Sequence, residues 1–112
     1  MLERIERSGV VAIVRLDDYS HAPEMASALA EGGVEAIEFT YTNPAAGEAV
    51  RATKDALGDR MLVGAGTVLD PETARAAILL GADFIVTPTV QVDTIRVPGA
   101  TYARTCARST DV

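Results

Sequence analysis

Four short apolar runs recur along the first 95 residues, each separated from the next by a helix-length amphipathic stretch. The runs are Gly9-Val-Val-Ala-Ile-Val-Arg15, Val34-Glu-Ala-Ile-Glu-Phe-Thr40, Met61-Leu-Val-Gly-Ala-Gly-Thr67 and Ala82-Asp-Phe-Ile-Val-Thr87. Each is rich in β-branched residues and bounded by glycine or polar residues, which marks buried strands rather than helices. The first is apolar almost throughout, as suits a parallel strand covered on both faces.

The segments between the runs carry helix punctuation. Ser20 precedes Ala22, Met25, Ala26, Leu29 and Ala30 at helical spacing, and Gly32-Gly33 follows as a stop. Asn43-Pro44 sets a capping side chain before a proline, and Gly58 closes that segment after Leu57. Asp70-Pro71-Glu72 repeats the device ahead of Ala74, Ala77 and Ile78, with Gly81 as the stop. A short helix is expected around residues 2–7. The runs begin roughly every 25 residues, which fits successive right-handed βα units. Such units build either a small open doubly wound sheet or half of a (β/α)8 barrel. A whole barrel takes about 250 residues, and this chain has 112.

Residues 1–95 therefore read as one α/β unit of parallel βα repeats. After Ile95 the pattern fails: Arg96, Arg104 and Arg108 recur among small residues, and aliphatic residues nearly vanish. The sequence predicts an irregular or disordered tail over 96–112.

Composition excludes several classes. The chain is 48% apolar and 23% charged, the balance of an ordinary globular domain. Ten basic against sixteen acidic residues leave a net charge of −6, the wrong sign for a general nucleic-acid or anionic-membrane binder. No apolar run approaches the ~18–20 residues that span a bilayer. The charged start Met1-Leu-Glu-Arg-Ile-Glu-Arg7 lacks the form of a signal peptide. Cys106 is the single cysteine, which rules out an intrachain disulfide and a cysteine-based zinc site. A cytoplasmic protein without nucleic-acid or membrane partners is the expectation.

In either architecture ligands bind beyond the carboxyl ends of the strands. That singles out Arg15; Glu38 with Thr40 and Thr42; Gly64, Gly66 and Thr67; and Thr87 with Pro88. Strand alternation puts Ala36, Glu38 and Thr40 on one face, and Ile37 and Phe39 on the other, helix-facing side. A carboxylate at a barrel mouth is desolvated, which raises its pKa and suits proton transfer. The alternatives for Glu38 are a solvent-facing or salt-bridged residue, or a partner of Arg15. Arg15 itself is a fixed cation suited to a carboxylate or phosphate, although solvated strand-end arginines are as common. Gly64-Ala-Gly-Thr67 allows close backbone approach and offers a hydroxyl, but it lacks the third glycine and the acidic residue of a dinucleotide fingerprint. Its glycines equally serve to relieve crowding near a barrel axis. Thr87-Pro88 also reads as a strand stop.

The remaining reactive residues are few. His21 has no second histidine for a metal cluster or a Ser/His/Asp triad, and it reads as solvent-facing. Cys106 lies in the tail. Lys54 is the only lysine, four residues before Gly58 inside a helix. A lysine nucleophile must reach its substrate from a strand end or an active-site loop, so Lys54 is expected to be a solvated helix charge.

Taken jointly, Val11-Ala-Ile-Val-Arg15, Glu31-Gly-Gly-Val34, Ile37-Glu-Phe-Thr-Tyr-Thr-Asn-Pro44, Val63-Gly-Ala-Gly-Thr-Val-Leu69 and Gly81-Ala-Asp-Phe-Ile-Val-Thr-Pro88 give a specific pattern. It resembles the amino-terminal half of bacterial 2-keto-3-deoxy-6-phosphogluconate (KDPG) aldolases, which also act as 4-hydroxy-2-oxoglutarate (KHG) aldolases. The resemblance covers residues 9 to about 95. It implies an incomplete (β/α)8 TIM barrel with about four of its eight strands. It further implies a homo-oligomer, a trimer in the family, and class I aldol chemistry on a 2-keto acid. In that chemistry a strand lysine forms a Schiff base, and no metal or organic cofactor is needed.

By position, Glu38 matches the family's proton-moving glutamate, and Arg15 and Thr67 match positions near the substrate carboxylate. Pro88 matches the family's proline at the end of the fourth strand, Gly66 stands with Thr67 among the substrate-binding positions, and Thr42 stands where some members carry an arginine. The family's Schiff-base lysine, followed closely by Phe-Pro, has no match in this chain, and neither does the glycine-rich phosphate site. Val97-Pro-Gly-Ala100 looks like the family's next strand end but arrives too soon after Ile95. The expectation is a barrel enzyme cut short by a deletion or frameshift and inactive alone. The rivals are a complementing fragment, self-association through open strand edges, or an unrelated (β/α) phosphate binder.

Overall fold

Strand order decides between the two architectures. The computed structural model describes residues 2–89, 92–97 and the backbone of 104–107. Among these, β1 (Ala12–Val14), β2 (Ala36–Thr40), β3 (Leu62–Gly66), β4 (Phe84–Thr87) and β5 (Arg104–Ala107) form one sheet in the order β1-β2-β3-β4-β5. Every pairing is parallel. A doubly wound sheet reverses its order at a switch point. Here each strand neighbours its predecessor, so right-handed crossovers gather the helices on one face and leave the other as a barrel interior. The fold is an incomplete (β/α)8 barrel.

The connecting helices are α2 (Ala22–Glu31), α3 (Ala46–Leu57) and α4 (Pro71–Leu79), with α1 (Leu2–Ser8) before the sheet and a short α5 (Val92–Ile95) after β4. Ile37 and Phe39 of β2, Val63 and Ala65 of β3 and Ile85 of β4 are buried with Ala26, Val50 and Ala77 from the helices. The opposite face carries a second cluster of Ala36, Leu62 and Phe84, packed by Ile5 of α1 together with Val11 and Val86. Those first three are the opening residues of their strands, so α1 covers the amino-terminal end of the concave face. The partition of β2 expected from alternation is the one observed.

Helix starts agree less well. Asp70 caps α4 as expected, accepting the Thr73 N–H at 2.7 Å and the Thr73 hydroxyl at 2.9 Å. Ser20 does not cap α2: its N–H donates to Asp18 Oδ1, and His21 occupies the cap position without a side-chain bond. Asn43 does not cap α3 either. Its Oδ1 accepts from the Ala45 N–H in an Asx turn, and the helix starts at Ala46.

The bonds from Thr73 hold the Asp70 carboxyl below its ordinary value of 3.8, and Ser20 and Arg51 do the same for Asp18 and Glu48. Depressed folded-state values mean that the unfolded chain binds more protons in this range. Their stabilisation is complete above the ordinary carboxylate values and is lost as pH falls through the lower folded ones. Asp70→Asn retains an acceptor for the Thr73 N–H but cannot titrate. Urea melts at several pH values below neutrality are expected to show a shallower acid loss for this variant; an unchanged slope would remove Asp70 from the acid limb.

The tail departs from its expected irregularity at one place. Arg104–Ala107 forms β5, in register with Phe84–Thr87. The open edge of β4 presents unpaired N–H and C=O groups that accept a strand through backbone bonds alone, whatever its apolar pattern. Residues 98–103 and 108–112, including most of Val97-Pro-Gly-Ala100, lie outside the described residues.

Candidate active site

Glu38 sits midway along β2, its Cα paired with Ile13 of β1 and Gly64 of β3. β2 is an interior strand, and Glu38 is only 6% exposed, so the solvent-facing alternative is excluded. The side chain leans across β3. A β-carbon on Gly66 would overlap Glu38 Oε1 and lie 2.9 Å from its Cδ. Gly66 is therefore the seat of the carboxylate. Gly64 plays the same part for the Phe84 ring, which occupies the space a β-carbon would fill. Both glycines relieve crowding on the concave face, one for an aromatic ring and one for a charge.

Thr67 follows at the end of β3 with φ of 56°, a left-handed conformation rare for a β-branched residue. Strain of this kind persists only where the surroundings over-determine it. The adjacent Val68 N–H donates to the Val86 carbonyl at 3.2 Å, tying the turn to β4. At the end of β4 the Thr87 hydroxyl donates to the Thr89 carbonyl at 2.7 Å, and Pro88 is half-buried beside it.

Arg15 directly follows β1. Its side chain is exposed and makes no ion pair with the described residues. Its backbone surroundings are held firmly: the Tyr19 hydroxyl donates to the Val14 carbonyl at 2.9 Å, and the Thr40 hydroxyl donates to the same oxygen at 3.4 Å. Thr42 is exposed, its hydroxyl 3.4 Å from that of Thr40. Arg15, Thr42, Gly66, Thr67 and Pro88 thus stand at the carboxyl ends of four adjacent strands, with Glu38 recessed below them.

Lys54 lies at the other end. Its Nζ is 2.6 Å from Asp83 Oδ2 and donates to the carbonyls of Gly58 (3.1 Å) and Met61 (3.0 Å). The same Asp83 oxygen accepts the Val63 N–H at 2.9 Å. Met61 and Asp83 lead into β3 and β4, which places the ammonium roughly one strand length, about 15 Å, from the mouth. The expectation of a solvated charge is corrected: Lys54 is a partly buried clamp, its stem passing Gly81 and its head meeting three acceptors.

His21 is exposed, as expected. Among the described residues no group of three His, Cys, Asp or Glu side chains is arranged to hold a metal ion, and no helix is long and apolar enough to cross a membrane. A groove of about 400 Å³ between α2 and α3 is lined by Asp17, Asp18, Glu24 and Glu48, a charge that disfavours anionic ligands. Sequence reasoning missed the roles of Tyr19, Asn43 and Asp83: Asn43 carried a cap signal that its amide does not follow, and Asp83 stands as the one acidic residue of its apolar run.

A singly wound βα sheet with a recessed carboxylate, and with polar side chains gathered at its strand ends, defines part of a (β/α)8 barrel. A family model for KDPG and KHG aldolase matches residues 1–104, and the chain belongs to that family. It is 39% identical over 88 residues to 2-dehydro-3-deoxy-phosphogluconate aldolase of Treponema pallidum, covering 79% of this chain and 41% of the relative. It is 34% identical over 105 residues to 2-dehydro-3-deoxy-6-phosphogalactonate aldolase of Escherichia coli, covering 91% of this chain and 51% of the relative. The chain thus spans about half the length of the curated relatives it matches. Among solved structures, a 2-keto-3-deoxy-6-phosphogluconate aldolase from Zymomonas mobilis superposes with a TM-score of 0.76 at 30% identity, over 87% of this chain and 46% of that one.

Proposed function

We propose that this chain is the amino-terminal half of a Schiff-base aldolase that cleaves KDPG or KHG, releasing pyruvate from either. The observation that carries the reading is the Glu38 carboxylate, buried on the concave face and seated over Gly66 beneath the mouth. In this reading an amine attacks the substrate ketone, water leaves, and the resulting iminium takes up the electrons of the C3–C4 bond. Glu38 receives the C4 hydroxyl proton through a water and later returns one to the enamine carbon, after which a water hydrolyses the pyruvyl iminium, releasing pyruvate and freeing the amine. Arg15 and Thr67 hold the substrate carboxylate, with Thr42, Gly66 and Pro88 lining the mouth. The iminium is the electron sink, so the reaction calls for no metal or organic cofactor.

The capturing amine has to come from outside the described strands, because Lys54 is committed to Asp83 at the far end. Without it the covalent route is absent, a larger loss than the ~2–4 kcal/mol carried by one oriented transition-state hydrogen bond. The 112-residue chain is expected to be inactive alone. Incubation with pyruvate and borohydride, followed by intact-mass measurement, is expected to leave its mass unchanged. Co-expression with a fragment supplying the family's later strands should restore trapping on that fragment. A stable pyruvyl adduct on Lys54 would overturn the reading.

One observation favours a second reading. Ile13, beside Glu38 on the concave face, is 53% exposed, and β1 is an open edge. A non-catalytic half-barrel that self-associates in the cytoplasm would cover both. Light scattering on a size-exclusion column separates the readings: a clean monomer argues against this one.

A further inference from the structure

Arg15 combines a tethered backbone with a side chain that makes no ion pair among the described residues, and much of the tether comes from one residue to which the reading of the site gives no role. Asn43, in the loop between β2 and α3, donates through Nδ2 to the carbonyls of Leu16 (3.0 Å) and Asp17 (2.9 Å), while its Oδ1 accepts the Ala45 N–H at 2.9 Å. Together with the Tyr19 hydroxyl on the Val14 carbonyl, it ties the chain at the peptide just before Arg15 and again at the Leu16 and Asp17 carbonyls just after it. The guanidinium is left exposed without an ion pair among the described residues. A cation on a pre-ordered loop loses little freedom when it meets an anion, which is how a preorganised binding arm gains affinity.

We propose that Asn43 is a positioning residue. Its amide staples the loop after β1 to the loop after β2, and so sets Arg15 to receive the carboxylate of a 2-keto acid. The role rests on the reading of Arg15 given above. It also explains why a residue placed to cap a helix caps none: both amide protons are turned across the mouth to the neighbouring loop, and only the oxygen serves its own turn.

The test uses the 112-residue chain, with pyruvate as the probe and the Thr67 amide resonance as the reporter. Asn43→Asp keeps the acceptor for Ala45 but faces two carbonyls with oxygen instead of N–H. It is expected to weaken pyruvate binding about three- to tenfold while leaving the dispersed amide spectrum of the sheet intact. Asn43→Ala, which removes the bonds without adding repulsion, should give a loss in the same direction and stands in if the aspartate variant does not fold. Arg15→Gln should weaken binding at least as much, and adding Asn43→Asp to it should cost nothing further, since the amide acts through Arg15.

Multiplicative losses in the double variant, or wild-type affinity in folded Asn43 variants whose Arg15→Gln counterpart is impaired, would overturn the positioning role alone. Wild-type affinity in Arg15→Gln, or no saturable shift in the unaltered chain, would instead overturn the reading of Arg15 and the positioning role with it.

Discussion

Phe39→Ala is expected to lower folding stability by about 3–5 kcal/mol, the range for truncating a fully buried aromatic. Phe39 is completely buried at the centre of the helix-side core, and its ring meets that of Tyr19 edge-on with centroids 5.4 Å apart. Truncation removes the ring's transfer energy, leaves a cavity among rigid neighbours, and deletes the aromatic contact. Domains of this size hold a net stability of about 5–15 kcal/mol, so the loss takes a large share of the whole. Tyr19 also holds the Val14 carbonyl, so the damage should reach the strand end that carries Arg15. Urea unfolding measures the first effect, and hydrogen exchange at the Leu16 and Asp17 amides measures the second. Leu79→Ala is the control: that side chain is exposed, and its truncation should stay within about 0.5 kcal/mol. A Phe39 variant that melts like the control would contradict this account of the core.

The second large effect separates two glycines that look alike in the sequence. Gly64→Ala drives a β-carbon into the Phe84 ring, which is pinned among Ala36, Leu62 and Ile5. Overpacking against a confined ring should cost about 1–3 kcal/mol. Gly66→Ala meets instead the far end of the flexible Glu38 side chain. Its stability cost should be the smaller of the two, because the carboxylate can swing away. Its functional cost should be the greater, because the carboxylate then leaves its seat. Carbon-detected titration of the Glu38 carboxyl, beside urea melts of both variants, reads the two outcomes. A Glu38 resonance unmoved by Gly66→Ala would show that the carboxylate does not rest on this glycine.

These contrasts mark what a linear reading can reach. The faces of β2 were legible, since period-two alternation assigns Ile37 and Phe39 to the helices and Glu38 to the concave side before any coordinate is known. The helix limits around α2 and α4 were legible too, through Gly32-Gly33 and the Asp70-Pro71 device. Barrel and open sheet were not separable, because βα repeats feed both; only the strand order, a long-range property, distinguishes them. The roles of Gly64 and Gly66 differ through what lies above each, which the strand's own sequence does not encode. Lys54 was misread for a similar reason. Its helix position looks solvated, and the acceptors that bury it come from Gly58, Met61 and Asp83, the last 29 residues away. Asn43 carried a genuine turn signal, but its amide protons found carbonyls 26 and 27 residues earlier in the chain.

The strand order has a consequence for how the chain is made. Each of β2, β3 and β4 pairs with the strand synthesised just before it, so the sheet can grow one strand at a time. At translation speeds of about 5–20 residues per second, each new βα unit emerges from the ribosome only a few seconds after its neighbour and can dock on it at once. This part of the barrel is suited to vectorial assembly, each new strand adding to the edge left by the last, and a nascent-chain arrest series would register it as stepwise protection of β1, β2 and β3 in turn.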